Sequence, residues 1–415
     1  MSDAAATKGF ASFAHRDFTL LIVAKLFGWI ALNMILVAIA YQVYDITGEV
    51  LNLAYIGLAT FAPAFAFALF TGYVADLFDR RLVLTVCYGI VGLSALGFLV
   101  YTLADTGPVW PVFVLLVVLG TGRAFHQPAI NALVPNLVTK NVFPNAVAWH
   151  STVTKVCQVT GPALGGVVYL AGPEIVYASA AIALAIAAVT TLAIKTRTER
   201  GERQPTTLST LLAGLRYVYA KKIIFGAITL DLLVVLLGGA TALFPVFAKD
   251  ILETGAAGAG FLRSAMAGGA LLSGIVLTQV GLERNVGRKM FATVLIFGIC
   301  TIVFGLSEIY WLSLMAMAVL GAADMVSVNI RVTLIQIATP DDMAVVTMDG
   351  LSAGILGGNI VLKIGLFVFC RRADAIVGGN PMVEAYGDDH RNDVVSNILV
   401  VASALIAASF PAMWW

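Results

Sequence analysis

The sequence predicts an all-α polytopic membrane protein with about twelve transmembrane helices in two pseudosymmetric six-helix halves. The first observation is composition: of 415 residues, 60% are hydrophobic and only 12% are charged, and the mean hydropathy is +0.93. A soluble domain is about 45–50% apolar and about 25% charged. The other two observations are that the apolar residues form long runs, and that the two sides of a central polar connection resemble each other.

Apolar runs long enough to cross the hydrocarbon core occur along the whole chain, since a helical crossing takes about 20 residues. They are Thr19–Tyr44, Leu53–Val74, Leu82–Leu103, Trp110–Leu133, Val142–Ala171, Ile175–Ile194, Ile223–Ala248, Ala257–Gly281, Met290–Leu306, Trp311–Ala338, Val345–Cys370 and Val394–Trp415. Each run is expected to form one transmembrane helix, and the first is too long for a cleaved signal peptide.

The distribution of basic residues predicts the orientation, because connections rich in Lys and Arg stay in the cytoplasm. One set of connections carries most of these residues, including Arg80, Arg81, Lys140 and the stretch 195–222. The alternate set is mainly acidic up to the tenth span. We therefore expect a multi-pass protein of the cell inner membrane with both termini in the cytoplasm.

The longest polar connection before the C-terminal region lies near the middle of the chain. It predicts an N-terminal half at 1–194, a cytoplasmic linker at 195–222 and a C-terminal half at 223–415. The repeated triplets Val118-Leu119-Gly120 and Val319-Leu320-Gly321 occupy matching places in the fourth and tenth spans. Several such matches in the same order indicate two parallel repeats.

Two motifs carry a resemblance to a known family. The loop Gly72-Tyr-Val-Ala-Asp76-Leu-Phe-Asp79-Arg80-Arg81 resembles the signature between the second and third helices of the major facilitator superfamily. The run Gly161-Pro162-Ala-Leu-Gly165-Gly166 resembles the end of its antiporter signature. Shorter stretches around Arg123, Arg216 and Asp324 are similar to the branch containing siderophore exporters and macrolide-type efflux pumps.

The resemblance implies a role for each motif. Gly72, Asp76, Arg80 and Arg81 would form a gating motif that latches the two halves together in one conformation; alternatively, the two arginines only determine topology. In the second motif, Gly161, Gly165 and Gly166 would let a neighbouring helix approach closely while Pro162 bends the span. Packing alone is the alternative for this motif.

Ionisable groups inside spans are costly, and they mark functional sites in membrane proteins. The resemblance implies that the first, fourth, seventh and tenth helices line a central cavity. The polar residues on these helices are Lys25, Asn33, Arg123, His126, Asp231, Asp324, Asn329 and Arg331, and two further basic residues, Lys155 and Arg263, lie on the fifth and eighth spans.

The cavity residues have alternative interpretations. Lys25 and Arg331 lie toward cytoplasmic ends and could snorkel, and His126 could be a hydrogen-bonded interior histidine. Asp231 or Asp324 is the expected proton carrier. Arg123 and Asp324 occupy matching repeat positions and are hypothesised to pair across the cavity, with Lys25 and Asp231 as a second pair. Alternatively, each charge pairs within its own half or faces water.

The chain after Met343 departs from the branch. Where a basic turn is usual, the sequence has Ala344-Val345-Val346-Thr347, and 344–415 is atypical throughout. An altered reading frame or a divergent loop would each produce this pattern. A transport-impaired membrane protein is therefore one alternative for the function of the chain.

The sequence lacks a nucleotide-binding loop and a zinc-hydrolase motif. Gly350–Gly354 fits the nucleophile-elbow pattern, but it lies in an apolar helical run rather than on a strand-to-helix turn. We expect no enzyme activity, no cofactor and no metal. The net charge of +1 also argues against nucleic acid as a partner. The sequence predicts a secondary active, proton-coupled exporter of a small amphipathic molecule, drug-like or siderophore-like, in the lipid bilayer; the alternative within transport is an importer or uniporter.

Overall fold

The structure is a computed structural model, and it describes residues 9–67, 71, 74, 78–104, 107–196, 239–279 and 286–338. Within these ranges the chain is helical and contains no strand. The main helices are α1 Arg16–Thr47, α2 Val50–Ala66, α3 Arg80–Ala104, α4 Trp110–Leu137, α5 Phe143–Tyr169, α6 Pro173–Leu192, α7 Gly255–Gln279, α8 Val286–Leu306 and α9 Tyr310–Ala338.

These helices confirm the predicted all-α membrane fold. They correspond to predicted spans one to six and eight to ten; most of the seventh span, and the eleventh and twelfth, lie outside the described residues. Seven of the described helices are long and apolar enough to cross a membrane. The helix α5 is not among them, because its first half carries several polar side chains, including Trp149, His150 and Lys155.

Local sequence determines where several helices begin and end. Gly48 ends α1 in the left-handed conformation (φ +65°), and its N–H donates to the Tyr44 carbonyl oxygen at 2.8 Å. Proline occupies the first helical turn of α4, α5 and α6, where its missing N–H is no loss. A 3-10 turn at Ala11–Ala14 precedes α1.

The chain divides into two compact units. The first comprises Met1–Glu202 with Phe244–Ala267, and the second comprises Arg203–Leu243 with Gly268–Trp415. In the first unit, α1 packs against α5 and α6, α3 against α4 and α6, and α2 against α4. In the second unit, α8 packs against α9. The predicted division into halves at 1–194 and 223–415 stays a prediction.

The outer side of the first unit is apolar, as lipid contact requires. On α3, the side chains of Leu93, Leu96, Val100 and Leu103 recur at helical spacing and are all exposed. Such a stripe would be a large exposed apolar patch on a soluble protein. The opposite side of α3 is buried at Leu84, so the helix has one lipid-facing side and one side in the bundle.

Candidate functional site

One face of α1 carries three polar side chains at intervals of four residues: Lys25, Trp29 and Asn33. Lys25 is only 1% exposed, so its amine points into the protein. Its Nζ donates to the His150 carbonyl oxygen at 2.7 Å and lies 2.8 Å from His150 Nε2. Within the described residues, no carboxylate contacts this amine. Lys25 is therefore a buried amine whose polar contacts are an imidazole and a carbonyl on α5.

The Lys25–His150 pair can keep both contacts in two protonation states. With Lys25 protonated, Nζ donates to the carbonyl oxygen and to an unprotonated Nε2, and the ring proton lies on Nδ1. With one proton fewer, a neutral amine donates to the carbonyl oxygen and accepts from a protonated Nε2. Nδ1 is buried and has no hydrogen-bond partner among the described residues. The pair can thus gain or lose a proton without breaking its geometry.

His126 connects α4 to α3 and α1. Its Nε2 lies 3.1 Å from the Tyr88 hydroxyl, and the two rings make an edge contact with centroids 5.1 Å apart. The Trp29 ring lies on another side at 6.1 Å. Gly28 makes room for this arrangement, because a Cβ there would overlap the Tyr88 ring. His126 is a hydrogen-bonded interior histidine, and a relay role for it stays a prediction.

Two arginines of the first unit lie close enough to interact electrostatically: Arg123 on α4 and Arg263 on α7. Arg123 is exposed and Arg263 is half-buried, although protein surrounds both on most sides. Within the described part of this unit, neither guanidinium contacts a carboxylate. His126 lies three residues after Arg123 and therefore on a neighbouring part of the same α4 face.

The glycines of the Gly161–Gly166 motif bring α5 close to α1. A Cβ on Gly161 would lie 2.6 Å from the Asn33 Cβ, and one on Gly165 would lie 2.8 Å from the Met34 Cα. Real Cβ atoms do not approach other atoms so closely, so a larger residue at either position would push the helices apart. Asn33 uses its amide locally and donates to the Trp29 carbonyl oxygen at 2.8 Å.

The same motif also brings α5 close to the start of α7. A Cβ on Gly166 would lie 2.6 Å from the Ala256 carbonyl oxygen, and Gly260 packs against the backbone of Pro162 and Gly166. Glycine therefore faces glycine across this crossing, as in small-residue interfaces of membrane bundles. The packing interpretation of the motif describes this geometry, and an additional conformational role stays a proposal.

The basic loop before α3 attaches its arginines to backbone oxygens. Arg80 donates to the Ala132 carbonyl oxygen at 2.9 Å. Arg81 donates to the Ile194 carbonyl oxygen at 2.6 Å, just beyond the end of α6, where the helix dipole favours a cation. Asp79 lies 3.4 Å from Arg81. Gly72 and Asp76 lie outside the described residues, so the proposed gating role of this motif stays a prediction.

Asp17, in the first turn of α1, holds the beginning of the predicted linker. Its Oδ2 accepts from the backbone N–H groups of Lys195 and Thr196 at 3.1 and 2.9 Å, and from the Thr196 hydroxyl at 2.6 Å. The sequence analysis did not find this carboxylate, because its partners lie far away along the chain. Asp17 and Arg81 together hold the chain where it leaves α6.

Loss of this carboxylate should release the linker to proteases. We expect Asp17→Ala to speed tryptic cleavage after Lys195 about tenfold, since hydrogen bonds to a charged group contribute about 1.5–3 kcal/mol. Inverted membrane vesicles would present the site to trypsin, and mass spectrometry would follow the product. Glu49→Ala removes an exposed acid elsewhere and serves as the control. Equal rates in the two variants would show that Asp17 does not hold the linker.

A second polar cluster lies at the other end of α1. The Tyr44 hydroxyl donates to an Asp250 carboxylate oxygen, and Lys249 Nζ lies 2.6 Å from the Asp45 carboxylate. The hydrogen bond to Asp45 raises the pKa of Lys249, so the amine stays charged at any physiological pH. These contacts tie α1 to the π-helical segment Phe247–Ile251. Because the ion pair is exposed, its own contribution to stability is small.

The remaining predicted cavity residues lie on α9 of the second unit or outside the described residues. Arg331 is 4% exposed and donates to Ser327 Oγ at 2.7 Å, and Asn329 donates to the Met325 carbonyl oxygen at 3.0 Å. Asp324 is half-buried on the same helix. Asp231 lies outside the described residues. The predicted Arg123–Asp324 and Lys25–Asp231 pairs therefore stay predictions.

Comparison with known proteins decides the family. Residues 7–355 match the family described as transmembrane secretion effector, within the major facilitator superfamily. The chain belongs to this family. Its relatives include the protein named enterobactin exporter EntS from Shigella dysenteriae and from Escherichia coli O1:K1, each 23% identical over 355 residues, covering 83% of this chain and 85% of the relative.

Solved structures show that the secretion effector chain has the major facilitator fold. The POT family transporter PepTSo superposes with a TM-score of 0.68 at 11% identity, covering 94% of this chain and 98% of that one. A bacterial homologue of the iron transporter ferroportin gives 0.60 at 14% identity, covering 95% and 99%. The predicted fold and superfamily are confirmed, and the protein is a multi-pass inner-membrane transporter.

His150 is the main residue of this site that the sequence analysis missed, although a signal for it exists. Helical periodicity places it on the α5 face that also carries Cys157, Gly161 and Gly165. Cys157 Sγ lies 3.7 Å from the Leu26 carbonyl oxygen, which confirms that this face contacts α1. A polar residue one turn or more before a glycine interface on the same face was the available indication.

Proposed function

We propose that this secretion effector is a proton-coupled exporter of a small amphipathic organic molecule. Export is supported by the family description and by relatives named as exporters of enterobactin. Drug-like and siderophore-like molecules share a size and amphipathic character that suit a cavity between helices. A transporter of this kind needs a group that takes up and releases protons during the cycle.

The observation that carries proton coupling is the buried Lys25–His150 pair. A buried charge is expensive unless it is paired with an opposite charge, and the described surroundings of Lys25 supply none. Loss of the proton removes that cost, so a small change in hydration or substrate occupancy would shift the protonation of the pair. Asp231 and Asp324 remain candidates for a second proton-binding group.

The other titratable groups near the pair do not neutralise it. The neighbouring helices α2 and α6 carry no Asp, Glu, Lys, Arg or His apart from Glu174, which begins α6 at the opposite end of α1. The remaining groups come from α5, α4 and α3, and they are Cys157, His126, Arg123 and Tyr88. Basic or uncharged neighbours favour release of a proton from the pair.

Transport by inverted membrane vesicles tests the proposal. Three bicyclic aromatic probes of similar size would be compared: the anion 2-naphthalenesulfonate, the neutral 2-naphthalenesulfonamide and the cation N-methylquinolinium. We expect at least one probe to enter vesicles that contain the protein, faster with an acidic lumen and at background rate after nigericin. Entry that ignores the pH gradient would indicate a uniporter, and exit into the medium an importer. Absence of any protein-dependent movement would favour the transport-impaired alternative.

Orientation is a separate expectation from the basic-residue bias. Single cysteines introduced at Glu49 and Glu202 in a cysteine-free background should differ in labelling by an impermeant maleimide. In intact cells we expect the cysteine at position 49 to react and the one at position 202 to react only after permeabilisation. Labelling of position 202 in intact cells would contradict the proposed topology.

A further inference from the structure

The interior of the first unit carries basic groups without acidic partners. Arg123, Lys25 and His150 all lie near enough to His126 to act on its charge, and Arg263 lies near Arg123 in the same way. These groups come from four different helices. In the described part of this unit, the acidic residues lie at helix ends or in connections: Asp17, Asp45, Glu49, Asp79, Glu174, Asp250 and Glu253.

Two guanidiniums near each other are unfavourable in a poorly hydrated interior. Arginine stays charged in proteins, so Arg123 and Arg263 cannot relieve their repulsion by losing protons. Water reaches both side chains, so a ligand of similar size can reach them too. An anion placed between them would replace repulsion by two attractions and would satisfy the donors of both forks.

We infer that Arg123 and Arg263 form a binding site for the anionic group of the transported molecule, which would be a carboxylate, sulfonate or phenolate on an aromatic or otherwise apolar body. The inference rests on the proposed transport function and names its substrate class. The Trp29 and His126 rings on the adjacent side of α4 and α1 suit an aromatic body next to the bound charge. The Lys25–His150 pair lies further along the same group of basic residues.

Binding to the purified full-length protein in nanodiscs tests this site with the same three probes. We expect 2-naphthalenesulfonate to bind at least about tenfold more tightly than the sulfonamide or N-methylquinolinium. Arg123→Gln and Arg263→Gln should each remove most of that preference. Arg123→Lys should keep part of it, because lysine keeps the charge but not the bidentate fork. Lys140→Gln removes an exposed cation and should leave the preference unchanged.

The charge reversal Arg123→Glu separates a binding role from a structural one. We expect this variant to prefer N-methylquinolinium over 2-naphthalenesulfonate, a gain that a misfolded protein cannot show. Equal binding of all probes by the unmodified protein, or a preference unaffected by Arg123→Gln, Arg263→Gln and Arg123→Glu, would overturn the site. The result would also differ from failure of the transport proposal, because gradient-driven entry of the neutral or cationic probe would then persist.

Discussion

The variant Lys25→Met is expected to insert normally and to lose gradient-driven transport down to the vesicle background. Methionine fills a similar volume, and it removes a buried amine that has no described acidic partner. Replacing a buried charge by an apolar side chain is often neutral or stabilising. The thermal stability of Lys25→Met should therefore equal or exceed that of the unmodified protein, while transport is lost. This combination distinguishes a coupling residue from a structural one.

His150→Gln provides the matching change on the other side of the pair. Glutamine can accept and donate hydrogen bonds, but it does not take up a proton near neutral pH. We expect this variant to allow downhill movement of the probe with a rate that no longer responds to the imposed pH gradient. Lys140→Met, at an exposed position, is the control for loss of a lysine. Normal gradient-driven transport by Lys25→Met would show that the pair does not carry the proton.

The second large effect is expected at the crossing of α5 and α7. Gly166→Ala places a Cβ 2.6 Å from the Ala256 carbonyl oxygen, and that oxygen belongs to backbone that cannot rotate away. Overpacking of this kind typically costs about 1–3 kcal/mol. We expect lower stability in Gly166→Ala and Gly260→Ala, measured by thermal aggregation of the detergent-solubilised protein, together with reduced transport.

A matched control for the glycine variants lies on α3. Gly89 is helical and exposed, and a Cβ there meets nothing within 4 Å. Gly89→Ala should therefore be neutral or slightly stabilising, because alanine favours helix by up to about 1 kcal/mol. If Gly166→Ala and Gly89→Ala have the same stability and activity, the close approach of α5 to α7 is not important for the protein.

Much of the fold is predictable from the sequence because the bilayer imposes a length on each apolar run. The run Trp110–Leu133, for example, corresponds to the helix Trp110–Leu137. Helices extend past the predicted runs because polar residues near an interface continue the backbone hydrogen-bond pattern without entering the hydrocarbon core. The hydropathy signal alone does not detect that extension.

The candidate site was only partly predictable. Lys25, Arg123 and His126 stand out in the sequence because ionisable groups are rare inside apolar runs. His150 stands among other polar residues of α5, and its importance depends on which face of α5 meets α1. The Asp17 contact with Thr196 joins residues far apart in sequence, and periodicity along one helix does not predict such tertiary contacts.

Proton movement driven by substrate tests the central claim most directly. Inverted vesicles containing the protein would be prepared with equal pH on both sides and a lumenal pH dye. The probe that enters in the transport assay would then be added outside. Coupled export predicts that the lumen becomes alkaline as the probe enters, and that Lys25→Met vesicles show no pH change. Protein-dependent entry of the probe with a constant lumenal pH would contradict proton coupling.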